Sequence, residues 1–167
     1  MQTTPHANQG ETVMTMQSDA TTTPNSNLTF QTRFGEVTLQ KDRLISFPHG
    51  LFGFRECTEF GLASLPNVDE SPILLMQCVN EPSIAFLVSD PSVLGLELKD
   101  SDRAEALEVT KLSDGTTQFL TILTLYDNGD SYYLTANLKA PVLIDAQKKV
   151  GLQYILTNKD YSTQHKI

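Results

Sequence analysis

The sequence predicts an all-β fold: a small, predominantly antiparallel β-barrel of about nine or ten short strands, with one short helix near residues 101–109. Three observations carry this. Short apolar runs recur between turn residues at fairly regular spacing, the pattern of a sandwich or closed barrel. The segment "TTQFLTILTL" (116–125) is rich in threonine and β-branched residues throughout, which favours a strand. Asn128-Gly129 then separates it from "SYYL", a strong hairpin signal.

Taken in order, residues 1–27 read as a disordered tail. They are threonine-rich, with few apolar residues and no Lys or Arg before Arg33, and cannot build a core. They have neither the basic start and apolar run of a secretory signal nor the arginines of a transit peptide. Glu11 and Asp19 are their only charges, so the acidity of the chain belongs to the domain, 28–167.

Strand signals begin with "LTFQTRF" and "EVTLQ" around Gly35, followed by "DRLISF". The stretch "FPHGLFGFRE" (47–56) packs two glycines, a proline and three phenylalanines into ten positions. Phosphate-holding glycine loops lead into a helix and carry a lysine or serine for the anion. Here Leu51, Phe52 and Phe54 fill the gaps instead, so a sharp chain corner is expected at Gly50 and Gly53, with the phenylalanines plugging a barrel end or lining a surface groove. "EFGLASL" alternates up to Pro66, and "PILLMQC" (72–78) with "SIAFLVSD" (83–90) makes a second pair around "VNEP". "SDRAEALEV" (101–109) breaks the pattern: Ser101 can cap a helix, Asp102 suits its first turn, and Ala104, Ala106 and Leu107 favour its interior. "APVLID" (140–145) and "GLQYILT" (151–157) complete the strands.

The 167 residues carry a net charge of −8, which disfavours contact with nucleic acid or an anionic membrane and favours a basic protein partner. No run approaches the roughly 20 apolar residues of a membrane span. Cys57 and Cys78 form no CxxC pair and no disulfide framework, so reduced, part-buried thiols in a cytoplasmic protein are expected. His49 is the one histidine inside the domain, since His6 lies in the tail and His165 near the end. His49 and Cys57 flank the glycine corner, but no third group orients them as base and nucleophile. GxSxG, HExxH and P-loop motifs are absent. No catalytic, metal or cofactor site is expected.

Two acidic features suit docking instead. The run 97–108 sets Glu97, Asp100, Asp102, Glu105 and Glu108 against Lys99 and Arg103, either a solvated helix face or a patch that steers a basic partner. Glu81 sits at an expected hairpin tip.

The motifs "RFGEVTL…DRLISFPHGLFGF", "LLMQCVNEPSIAFLVSDP", "TANLKAPVLID" and "GLQYILTNKDYSTQHKI" together resemble the flagellar assembly factor family, FliW, from about Phe30 to Ile167. The resemblance implies a non-enzymatic regulator with two protein partners: flagellin, bound in a chaperone-like way, and the RNA-binding translational repressor CsrA. It implies a switch, in which flagellin occupies the protein until export and the freed protein then captures CsrA, relieving repression of flagellin mRNA. On the matching motifs, Gln77, Glu81, Asp90, Pro91, Asn137, Leu138 and Pro141 become partner-contact candidates, beside the acidic set Glu97, Asp100, Asp102 and Glu105. Gly50, Gly53 and Phe54 are its structural corner. Asn137, Asp90 and the prolines have an alternative reading as turn and corner residues. Two competing functions are a small ligand- or cofactor-binding barrel and a flagellin chaperone without the regulatory contact.

Overall fold

The computed structural model describes residues 26–167. The expectation of a disordered tail over 1–27 lies outside the described residues up to position 25, and Asn27 already opens the first strand.

Ten strands follow: β1 (Asn27–Thr32), β2 (Gly35–Gln40), β3 (Ile45–Ser46), β4 (Glu59–Ser64), β5 (Leu74–Cys78), β6 (Ala85–Ser89), β7 (Thr117–Asp127), β8 (Tyr132–Asp145), β9 (Val150–Gln153) and β10 (His165–Lys166). Strands β3 to β9 pair in sequence order, and β9 closes the ring by pairing with β3 as well as β8. This gives a closed seven-stranded barrel, antiparallel everywhere but at β3–β9, where Ser46 meets Val150 in parallel. Closure removes the sheet edges that an open sandwich would leave. β1 and β2 form a separate hairpin laid over β4, and β10 extends the far side of β8.

Period-two alternation sorts the strands' side chains between two cores. Phe47, Phe60, Met76, Val88, Leu120 and Val142 face inward and fill the barrel. Leu75, Leu87, Phe119, Leu123 and Leu143 face outward, where the β1–β2 hairpin, the helix and the C-terminal segment cover them. Phe47 and Phe60 meet edge to face at 4.9 Å in the middle of the barrel. Gly151 permits this, because a Cβ there would collide with the Phe47 ring.

Helix α1 (Asp100–Thr110) is one residue longer at each end than expected. Its N-cap is Lys99, with no side-chain cap, and Ser101 lies inside the first turn. The helix is held by tertiary hydrogen bonds from its inner face rather than by a cap.

Three other expectations are revised. Asn128 N–H donates to Ser131 O at 3.1 Å, so Gly129 and Asp130 form the hairpin tip, one residue beyond Asn128-Gly129. "APVLID" is not a separate strand but the second half of β8, whose register against β7 jumps from Leu120↔Val142 to Ile122↔Asn137. Four residues of β8, 138–141, thus bulge opposite Thr121. β9 ends at Gln153, and residues 154–164 leave the barrel as a strap.

Candidate protein-docking surfaces

The glycine corner is built by backbone pairing. Leu51 and Phe54 exchange N–H···O bonds of 3.1 and 2.8 Å, leaving Phe52 and Gly53 at the tip. Gly50 and Gly53 have φ of +63° and +85°, in the region that side chains resist. At Gly50 a Cβ would also strike the backbone of Phe54 and Arg55. Phe52 is pushed out to 56% exposure and Phe54 packs edge to face on Phe86 at 5.0 Å.

The corner therefore forms one wall of an apolar groove of about 370 Å³ at one mouth of the barrel. Phe86 and Ile122 make its floor, Phe52 and Phe54 one wall, and Ile155 of the strap the other. Ile155 is 52% exposed. Asn137 and Lys139 supply the polar edge. Phe52 and Phe54 line the groove, whereas Phe47 packs on Phe60 inside the barrel rather than plugging its end.

The motif residues mostly build this framework. Gln77 is fully buried, and its Nε2 donates to Cys78 O, Pro82 O and Ile84 O at 2.8, 2.9 and 3.2 Å. It knots the β5–β6 loop, which explains a glutamine five residues before a proline. Asp90 Oδ1 accepts from Ser92 N–H at 2.9 Å and Ser92 Oγ at 2.7 Å, capping the turn that buried Pro91 opens. Asn137 Oδ1 accepts Ala140 N–H at 3.0 Å and so shapes the bulge, while Thr121 Oγ1 donates to Asn137 O at 2.8 Å. Leu138 is buried in the outer core, and Pro141, also buried, sits where the ladder is already broken, as a residue lacking an N–H must. Asn137 alone of these lines the groove; Glu81 is exposed on the loop that Gln77 ties down.

Asn80 was not singled out from the sequence, yet it joins the corner to the β5–β6 loop. Its Oδ1 accepts Thr58 and Glu59 N–H at 3.2 and 3.3 Å, and its Nδ2 donates to Glu56 O. An asparagine in a turn-like "VNEP" carries no signal for so distant a partner.

The acidic set divides in two. Asp102 Oδ2 accepts from Asn158 Nδ2 at 2.9 Å and from the Tyr161 hydroxyl at 2.7 Å. These two bonds, Asn158's first, hold its carboxyl below the usual aspartate range. Glu105 accepts from Thr157 Oγ1 at 3.0 and 2.9 Å and from the Tyr154 hydroxyl at 3.1 Å. Burial, then Glu105, pushes the Tyr154 phenol up. Asp102 and Glu105 thus clasp the strap, while Glu97, Asp100 and Glu108 remain exposed on the helix side.

His49 is exposed on the corner and Cys57 is fully buried. Burial and the neighbouring Cys78 push the Cys57 thiol up to about 12, so it stays protonated and is no nucleophile at neutral pH.

A family model described as FliW protein matches residues 29–167. The chain belongs to the FliW family. It is 34% identical to the flagellar assembly factor FliW of Geobacillus kaustophilus (strain HTA426), over 80% of this chain and 90% of that protein. It is 36% identical to the FliW of Bacillus velezensis (strain DSM 23117 / BGSC 10A6 / LMG 26770 / FZB42), over 80% and 91%. A crystal structure of the flagellar assembly factor FliW superposes with a TM-score of 0.63 at 29% identity, covering 83% of this chain and 96% of that one. Among the described residues no helix is long and apolar enough to cross a membrane.

Proposed function

We propose that this chain is a non-enzymatic regulator of flagellum assembly that works in the cytoplasm by binding two proteins in turn, flagellin and the translational repressor CsrA. The observation that carries the reading is the groove between Phe54, Phe86, Ile122 and Ile155, an exposed apolar slot with a polar edge. Such a slot suits an amphipathic helix laid in by its apolar face, and flagellin supplies the helix. The exposed carboxylates Glu97, Asp100 and Glu108 give the basic, RNA-binding repressor a face of opposite charge. With flagellin bound, CsrA stays free to repress; after export, this chain takes up CsrA and translation resumes. Mutual exclusion makes mass action the switch.

A ligand-binding barrel would require an open interior, and here Phe47, Phe60, Met76 and Leu120 fill it. Calorimetric titration of the full chain with its host's flagellin, and separately with CsrA, tests the proposal. Binding of each, with flagellin displacing CsrA, is expected. Binding of flagellin alone would leave only a chaperone, and silence toward both would sink the reading.

A further inference from the structure

Strands β7 and β8 run on past the barrel as a two-stranded arm. β6 pairs with β7 no further than Leu87↔Leu123, whereas β7 and β8 stay paired out to Asp127↔Tyr132. β10 borders β8 only at Thr135 and Ala136. Residues directly opposite across an antiparallel pair share a face, so the arm has two faces, and they differ.

One face continues the groove side, beyond the pair Ile122 and Asn137. Tyr126 and Tyr133 stack on it at 4.8 Å, and Lys166 Nζ lies 4.8 Å from the centre of the Tyr133 ring. A cation of the chain itself therefore closes this face.

The other face continues the outer core, beyond the pair Leu123 and Ala136. Leu125 and Leu134 pair across it, and Ile167, whose N–H donates to Leu134 O at 3.0 Å, extends the row. Asp127 and Tyr132 pair at its outer end. Leu125, Tyr132 and Ile167 are 36%, 70% and 45% exposed, so the row stands open. Asp127 Oδ1 accepts the Gly129 N–H at 2.8 Å, which fixes the tip, and exposed Asp130 follows in the turn. Neither carboxylate is ion-paired among the described residues, where the salt bridge is Lys99–Asp160.

A contiguous apolar row on a sheet face marks a protein-binding surface, and tyrosine is a favoured anchor in such contacts. Charge selects the occupant. An aliphatic row that ends in a tyrosine and two unpaired carboxylates fits a segment with Lys or Arg set among aliphatic side chains. Its cation would stand over Tyr132 beside Asp127, as Lys166 stands over Tyr133 on the reverse face. A second copy would bring like carboxylates together, and a polyanion would be repelled. We propose that the open face of this arm docks a basic, aliphatic segment of a protein partner, with Tyr132 as its anchor. The surface lies on the reverse of the two strands that carry Ile122 and Asn137 into the groove.

Titration of the ¹⁵N-labelled full chain with a short synthetic peptide of interspersed lysines and leucines tests this by amide shifts. The largest shifts are expected at Leu125, Asp127, Tyr132 and Leu134. Binding should weaken several-fold in Tyr132→Ala, and also in Asp127→Asn, which keeps an oxygen for the Gly129 N–H. Largest shifts on helix α1 or in the groove, or an affinity indifferent to Tyr132→Ala, would overturn the proposal. Equal binding of the same peptide with glutamate in place of lysine would do so too. Arm shifts that grow with protein concentration in the absence of peptide would give the face to a second copy and overturn it equally. None of these readouts involves flagellin or CsrA, so the inference stands or falls apart from the proposed function.

Discussion

The Tyr161 hydroxyl donates to Asp102 Oδ2 at 2.7 Å, joining the C-terminal strap to helix α1 across 59 residues of sequence. The same hydroxyl accepts the Lys99 N–H at 2.8 Å, so one phenol ties the helix start to its inner face. The strap continues to the barrel, where Leu138 and Lys139 N–H both donate to Ser162 O. Ile155, a wall of the apolar groove, is part of this strap.

Removing that hydroxyl should therefore loosen more than one bond. Tyr161→Phe leaves a buried, charged acceptor short of a donor and is expected to cost about 1.5–3 kcal/mol. Urea unfolding reads the loss, and amide exchange should quicken at Leu138 and Lys139.

Acid should act at the same place. Asp102 is lowered by its bonds from Asn158 and Tyr161, and Asp145 chiefly by the Lys148 N–H. Depressed carboxyls contribute stability that is complete above the unfolded value of about 3.9 and is lost as the pH falls through the lower folded values. Tyr154 and Tyr161 are raised, first of all by burial. Their contribution is complete below about 10 and lost as the pH climbs through the raised values. A stability–pH curve should show both limbs, and Asp102→Asn should flatten the acid one.

The two corner glycines should differ. Gly53→Ala meets open space and faces only its positive φ, costing about 1–2 kcal/mol. Gly50→Ala adds a collision with the Phe54 and Arg55 backbone, so its loss should be the larger by denaturant unfolding, with the groove distorted as well.

Charge reversal should separate the acidic residues by role. Glu97→Lys with Asp100→Lys, both exposed, should slow CsrA association and weaken its salt dependence while leaving the melting temperature nearly unchanged. Asp102→Lys should unfold the strap first. Stopped-flow association at two salt concentrations, beside thermal melts, distinguishes the two.

Much of this fold was legible because strand alternation and glycine chemistry act locally. The run 116–125, the corner at Gly50 and Gly53, and the helix near 101–109 all follow from neighbouring residues. What was not legible depends on distant partners. Asn137 reads as a turn residue, and it does shape a bulge, but inside one long strand. A new strand is expected at Ala140-Pro141 because a bulge and a strand boundary use the same residues. Asp102 and Asp100 are indistinguishable by type and spacing from the rest of the acidic run. Only Tyr161 and Asn158, some fifty-odd residues on, make one structural and leave the other free.

The most direct test of the central claim is calorimetric titration of flagellin into Ile155→Glu beside the unaltered chain. Ile155 is half exposed, so the variant should fold normally while placing a charge in the apolar groove. The account predicts at least a tenfold loss of flagellin affinity, about 1.4 kcal/mol, with CsrA binding retained. Flagellin affinity equal to that of the unaltered chain would contradict it.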